Sequence, residues 1–260
     1  MALIEQTLFD GEGDKVKIAI ERLKAFEPPE GYYLAFSGGK DSVVIYHLAK
    51  MAGVKFDSHY SVTTIDPPDL IYFIREHHPD VKFDHPKVPF LVEMVKRGFP
   101  QRQRRWCCAV YKERGGGGRM VVTGVRAEES ARRAKRKMVE HCMRDSTKRY
   151  IHAIFDWTSV EVWEFIKKYK VPYCGLYDKG YKRLGCLFCP MAYKTYRNLD
   201  RKLYPRFEEM YRRAFRKMYL KKKSEGKTSV DRWKDGDDMF DWWITETRGK
   251  AQPDQYVIFE

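Results

Sequence analysis

The stretch Tyr32-Tyr33-Leu34-Ala35-Phe36-Ser37-Gly38-Gly39-Lys40-Asp41-Ser42, continued by Val43–Ala52 (VVIYHLAKMA), decides the fold. Tyr32–Phe36 is a short apolar, aromatic run bounded by Gly31 and by Ser37-Gly38-Gly39, the pattern of a buried parallel strand. Asp41–Ala52 resumes helical spacing straight after the glycines. The unit is strand, glycine loop, helix. At such a junction free backbone N–H groups and the helix dipole favour an anion, and glycines let the backbone approach it closely.

Working outward, Lys15–Phe26 has helical spacing and is stopped by Glu27-Pro28-Pro29-Glu30-Gly31. Downstream, Phe56–Ile65 reads as a second strand ending at Asp66-Pro67-Pro68, Asp69–His77 as a helix, Val81–His85 as a third strand and Phe90–Lys96 as a helix. Met120–Val125 is a strand preceded by the glycine tract Gly115–Gly118, which reads as a mobile loop. Strands alternating with helices predict an α/β fold, a parallel twisted sheet with helices on both faces.

After about Tyr150 the pattern changes. Ser159–Tyr169, Leu203–Leu220 and Trp233–Thr247 look helical, and the strand candidate of that half lies near Tyr256–Phe259. The expected organisation is therefore a nucleotide-binding domain over 1–150 and a mainly helical region over 151–260. Trp233, Phe240, Trp242 and Trp243 fit a packed helix face better than a base-stacking platform.

At 260 residues and 43% hydrophobic content the chain can bury a full core. No apolar run approaches the roughly 18 residues needed to span a bilayer. The acidic Met1–Asp14 does not read as a secretory signal, so a cytoplasmic location and no membrane partner are expected. Net charge is +14, clustered at Arg102–Arg105, Arg132–Lys137, Lys148–Arg149 and Arg212–Lys223. Such a field attracts nucleotides and polyanions, although Tyr211–Lys223 fits a solvated helix face equally well. Six cysteines in a reducing compartment point to metal or redox chemistry rather than disulfides.

Two glycines before a helix would by themselves be a tight turn, and the spacing is not that of a Walker loop. All six positions of Ser37-Gly38-Gly39-Lys40-Asp41-Ser42 nevertheless match the Ser-Gly-Gly-x-Asp-Ser loop of the PP-loop ATP-pyrophosphatase superfamily, and the chain resembles that superfamily. The resemblance implies an adenine nucleotide with its phosphates over the loop and its base near Phe36 and Thr63–Ile65, with Thr64 and Ile65 among the contacts. Lys40 would supply charge, while Asp41 would orient the loop or hold magnesium.

Cys107-Cys108 and Cys186-Leu187-Phe188-Cys189 offer two thiolate pairs from distant segments. Structural zinc usually uses two spaced knuckles, whereas an adjacent pair suits the separate irons of a cuboidal cluster. The arrangement resembles assimilatory adenosine phosphosulfate reductases, which hold a 4Fe–4S cluster on those positions. Asp156-Trp157-Thr158, Val171-Pro172-Tyr173, Leu176-Tyr177-Asp178 and Gly180-Tyr181 resemble the same family, over roughly Tyr32–Pro190. Cys142 and Cys174 lack a partner pattern and fit buried small hydrophobes.

Thr123-Gly124-Val125-Arg126 ends a strand at the edge where α/β sheets place ligands. The family carries Gly-x-Arg here, so Gly124 and Arg126 would meet phosphate or sulfate, extended by Arg132 and Arg133; Glu128 and Glu129 read simply as a helix start. Reductases of the family carry a nucleophilic cysteine in a C-terminal Glu-Cys-Gly-Leu-His motif, whereas no cysteine follows Cys189 in this sequence.

The preferred expectation is thus an ATP pyrophosphatase with an iron–sulfur cluster that adenylates a substrate for sulfur transfer, with Lys40 and Arg126 stabilising phosphate charge and magnesium bridging phosphate oxygens. It resembles the reductase-like proteins of phages and DNA phosphorothioation systems, and cluster-dependent tRNA thiolation enzymes. DNA or tRNA as acceptor and a sulfur-donor protein are the partners it implies. The alternatives are a sulfonucleotide reductase releasing sulfite and a non-catalytic nucleotide or nucleic-acid binding redox module. Homo-oligomer formation stays open.

Overall fold

The structure, a computed structural model, describes residues 4–7, 11–101 and 105–245. Arg102, the end of the expected helix Trp233–Thr247 and the strand expected near Tyr256–Phe259 lie outside the described residues. β1 (Ile4–Thr7) and β2 (Gly11–Asp14) form an antiparallel hairpin that sequence spacing did not announce. Asp14 caps α1 (Lys15–Ala25), its carboxylate accepting from Val16 N–H at 2.8 Å. The chain turns at Gly31, whose φ is +77°, into β3 (Tyr32–Ala35) and on to α2 (Lys40–Ala52).

There follow β4 (Phe56–Ser61), α3 (Pro68–His77), β5 (Lys82–Asp84), α4 (Phe90–Arg97), α5 (Trp106–Tyr111), β6 (Met120–Val122), α6 (Ala131–Ala134), β7 (Val139–His141) and β8 (Arg149–Ile151). The remaining helices are α7 (Ser159–Lys168), α8 (Lys194–Leu203), α9 (Pro205–Ser224) and α10 (Gly236–Thr245). The main sheet runs β5-β4-β3-β6-β8-β7, parallel except for the β7–β8 pair. The expected α/β sheet is therefore present, with two differences. The second strand stops at Ser61 rather than Ile65, because the chain enters a turn with Thr64 at φ +67°. β7 and β8 are short strands of mixed polarity, which leaves no alternation long enough to read.

The two faces of the sheet differ. Tyr32 and Leu34 are fully buried, and Tyr32 Oη donates to the Leu23 carbonyl of α1 at 2.7 Å, so this face rests on helices. Helix α2, buried at Val43, Val44, Ile45, Tyr46, Leu48 and Ala49, packs between α1 and α7. Each of the valine, isoleucine and leucine side chains contributes about 1.5–3 kcal/mol by leaving water. The registers Tyr33↔Asp57, Tyr33↔Val121 and Val121↔Tyr150 put Tyr33, His59, Ser61, Thr123, Tyr150 and His152 on the other face, which is polar. The glycine tract, expected as a mobile loop, is laid against it: a Cβ on Gly115 would fall 2.1 Å from Tyr33 Oη.

One apolar core runs from Val16 to Ile244, with side chains from both sides of Tyr150. Phe240 and Trp243 are buried in it as the packed helix face expected of them, while Trp233 is buried from the turn before α10, which starts three residues later than expected; Trp243 Nε1–H donates to the Pro100 carbonyl at 2.8 Å. Among the described residues no helix is long and apolar enough to cross a membrane.

Candidate functional site

The loop between β3 and α2 turns on Gly38, at φ +69°, where a Cβ would lie 2.5 Å from Leu70 Cδ1 of α3. A larger residue there would be strained by the positive φ and would have to push aside the Leu70 and Ile74 side chains of α3. Gly39 caps α2, its carbonyl accepting from Ser42 Oγ at 2.9 Å. Ser37 N–H donates to Ser42 Oγ at 3.1 Å, and the two serine hydroxyls are 3.0 Å apart. The expected ligand hydroxyls thus tie the loop to itself while facing its cavity.

Three expected site residues meet at the start of α2. Asp41 accepts from Lys40 Nζ at 2.8 Å and from Arg126 Nε at 2.6 Å. Burial would raise the Asp41 carboxyl, but the Lys40 and Arg126 cations hold it below the usual carboxylate range. Burial lowers Lys40, opposed by Asp41. Both oxygens of the expected magnesium ligand are therefore already engaged by cations. Gly124 makes the meeting possible, since a Cβ there would sit 2.8 Å from the Asp41 carbonyl carbon.

Arg126 is 3% exposed and also donates to Glu128 Oε2 at 2.7 Å and to the Trp157 carbonyl at 3.1 Å. Glu128 and Glu129 consequently do more than start a helix: Glu128 also accepts from Ser159 N–H at 2.5 Å, and Glu129 pairs with Arg133. Arg133 is held in that pair and lines the loop cavity.

This cavity, of about 190 Å³, is bounded by Phe36, Ser37, Asp41 and Ser42, by Thr123-Gly124-Val125 at the end of β6, and by the polar sheet face. Lys112, Arg133, Arg136, Lys148 and Arg183 surround it with positive charge. A second cavity, of about 320 Å³, is lined by all four expected cysteines together with Lys40, Thr63, Ile65 and Arg126. Of the expected base contacts, Phe36 faces the first cavity, Ile65 the second, and Thr64 neither; Thr64 Oγ1 accepts from Phe90 N–H at 2.9 Å.

The Cys186–Cys189 turn is built on Phe188 at φ +55°, and Leu187 N–H donates to the Ile65 carbonyl at 2.9 Å. Cys186 Sγ lies 3.6 Å from Thr63 Oγ1. Burial raises the Cys186 thiol and raises Cys189 to about 12. Cys107 donates to Cys108, which raises Cys107 and lowers its neighbour. Among the described residues no three His, Cys, Asp or Glu side chains stand close enough to hold a single metal ion. Four thiols around one roomy cavity fit a larger group bound at four corners.

Lys112 was missed by sequence reasoning. It follows α5 one turn after Cys108, to whose carbonyl its N–H donates at 2.8 Å, and it lines both cavities. Burial works against its charge, yet negative charge on the Cys186 and Cys108 sulfurs, once they are thiolates, raises it above the usual lysine range. Its position one helical turn beyond the Cys-Cys pair was the available signal. Glu129, Arg183, Leu184 and Gly185 complete the wall that the cavities share. Cys142 and Cys174 are buried and stand among neither set of lining residues.

The basic stretch Arg212–Lys223 is largely neutralised locally. Arg212 pairs with Glu208, Asp237 and Asp241, Arg216 with Asp237, and Lys223 with Asp231. This favours the solvated-face reading of α9.

The chain is similar, at 33% identity over 172 residues, to an uncharacterized protein of Methanocaldococcus jannaschii, covering 60% of this chain but 35% of that one. It is 30% identical over 169 residues to an adenosine 5'-phosphosulfate reductase of Staphylococcus haemolyticus, covering 59% of this chain and 68% of the relative. The phosphoadenylyl-sulfate reductase structure from Candida auris shares the fold, with a TM-score of 0.51 and 19% identity over 65% of this chain and 87% of that one. Residues 31–192, more than half of the chain and the whole span from β3 through both cysteine pairs, match the phosphoadenosine phosphosulfate reductase domain, and the chain belongs to that family.

Proposed function

We propose that the chain is an enzyme that binds an adenylated sulfate, its nucleotide in the loop cavity and its sulfate directed at the wall shared with the cysteine cavity, in the manner of a sulfonucleotide reductase. The observation that carries this reading is the shared wall itself: Lys112 and Arg183 stand between the phosphate loop and the four thiols. The relatives of reductase type support it. It replaces nucleic-acid adenylation as the first reading.

In this reading the loop amides and Ser37 bind the 5′-phosphate, Arg126 holds Asp41 in place, and Lys112 takes the sulfate charge. Cys107, Cys108, Cys186 and Cys189 would hold an iron–sulfur cluster, which when bound would be a net anionic, redox-capable group, and Lys112 on the shared wall would offset its charge beside the sulfate. The division near Tyr150 then places the loop and the first cysteine pair in one part and the second pair in the other. Reduction needs two electrons: two thiols convert the adenylated sulfate to sulfite and AMP and leave as a disulfide. Neither Cys142 nor Cys174 lines the cavities, so a thiol donor outside these residues supplies the attacking sulfur.

That same placement, with the net charge of +14, favours a second reading in which ATP is cleaved between its α and β phosphates and a nucleic acid is the acceptor. The test incubates anaerobically purified protein with adenosine phosphosulfate and dithiol, and separately with ATP, magnesium, and DNA or tRNA. Sulfite release, lost in Lys112→Met with AMP binding retained, is expected. Pyrophosphate release without sulfite selects the second reading instead.

A further inference from the structure

One wall of the loop cavity carries a hydrogen-bonded chain that the reading above does not use. Thr123, the residue after β6, lies with Oγ1 2.7 Å from His152 Nδ1. His152 Nε2 lies 3.3 Å from Glu140 Oε1, and Glu140 accepts from Arg136 Nε at 2.5 Å. Thr123 and His152 both line the cavity, and His152 is fully buried.

Counting protons along this chain fixes the character of its end. Burial would raise the Glu140 carboxyl, but His152 and Arg136 hold it at about 2, so it is ionised and can only accept. His152 Nε2 therefore donates to it. Burial lowers the imidazole, which stays neutral, leaving Nδ1 with a lone pair. That lone pair accepts the Thr123 hydroxyl proton. Thr123 Oγ1 has no other hydrogen bond among the described residues, so its remaining lone pairs are an acceptor on the cavity wall.

We propose that Thr123, set by His152 and Glu140, is a specificity residue that reads a sugar hydroxyl of the bound nucleotide by accepting its proton. The inference rests on the nucleotide reading and deepens it. A site built around a fixed acceptor discriminates against a ligand lacking the matching donor more strongly than an apolar wall does. The geometry supports this over a purely internal role, because an interior threonine would leave no lone pair facing a cavity. Thr123 also adjoins Gly124, which touches the Asp41 backbone, so the acceptor sits one residue from the phosphate loop.

The test measures binding of AMP, 2′-deoxy-AMP and 3′-deoxy-AMP to the full chain by calorimetry, for the native protein, Thr123→Ser and Thr123→Val, with thermal melting to confirm folding. The native chain and Thr123→Ser should bind AMP about tenfold more tightly than one of the deoxy analogues, the factor of a single hydrogen bond of about 1.4 kcal/mol. Thr123→Val should bind AMP and that analogue equally. Should Thr123→Val not fold, Thr123→Ala carries the same expectation. Native-like discrimination in the valine or alanine variant, or no discrimination in the native chain, overturns the assignment to Thr123 while leaving nucleotide binding intact. Failure of the native chain to bind any of the three removes the nucleotide reading and this inference together.

Discussion

Leu187 and Ile65 share a backbone hydrogen bond of 2.9 Å, which fastens the turn carrying Cys186 and Cys189 to the turn that leaves β4. Asp66 stiffens the second turn, accepting from Thr63 N–H and Thr63 Oγ1, each at 2.7 Å. A ligand that orders the end of the sheet therefore also orders the cysteine turn. Nucleotide bound to the metal-free protein is expected to slow alkylation of Cys186 and Cys189 several-fold, read by mass spectrometry of iodoacetamide-treated peptides. Equal labelling rates with and without nucleotide would show that the two turns are not coupled.

Gly124 makes a different kind of contact, backbone against backbone. A Cβ at this position would meet the Asp41 carbonyl carbon and oxygen at 2.8 and 2.9 Å, and neither atom can rotate away. Gly124→Ala must push the end of β6 off the start of α2, at a cost of about 1–3 kcal/mol. Calorimetry should find nucleotide affinity down tenfold or more in a variant that still melts cooperatively. Native affinity in Gly124→Ala contradicts the placement of the ligand at this junction.

How far the sequence could be read follows from which interactions are local. Ser37–Ser42 was legible because a strand, two glycines and a helix start are adjacent in the chain. That the cysteine pairs share one site was suggested by their pairing and strengthened by resemblance, but that Cys108 and Cys186, far apart in sequence, line one cavity is a fact of the fold. Arg126 was expected to face phosphate; that it holds Asp41 was invisible, because the contact closes 85 residues of separation. β7 and β8 escaped notice as three-residue strands whose pairing, not composition, defines them. The Thr123–His152–Glu140 chain belongs to the same class of long-range facts, whereas Lys112, one helical turn beyond Cys108, carried a local signal that was overlooked.

Asp41 is the carboxylate that bridges Lys40 and Arg126 at the loop, and those cations are 5% and 3% exposed. Removing it takes the shared counter-charge from Lys40 and Arg126, of which Arg126 keeps Glu128, a loss of up to about 3 kcal/mol. A bound anion can take its place. Asp41→Ala is therefore expected to melt lower than the native chain and to recover more of that loss than the native chain gains when inorganic phosphate is added. A phosphate-induced shift no larger than in the native protein would mean that the anion binds elsewhere.

Acid should weaken the fold from beneath the same loop. His78 is 1% exposed, packs 4.9 Å from Phe36 and 4.8 Å from Tyr46 between ring centroids, and has neither ring nitrogen hydrogen-bonded among the described residues. Burial, reinforced by the nearby His47, lowers it to about 4. An unfolded histidine titrates at about 6.5, so between these values the unfolded chain takes up a proton that the folded chain refuses. Its contribution is complete above about pH 6.5 and drains away as pH falls toward 4, at up to about 1.4 kcal/mol per pH unit. His78→Phe keeps an aromatic ring against Phe36 and Tyr46 and removes that proton. Urea unfolding at pH 7, 6 and 5 should show a shallower decline for the variant than for the native chain, the residual slope coming from His47 and His152, both also lowered by burial. Parallel declines would place the acid sensitivity in those two histidines and not under the phosphate loop.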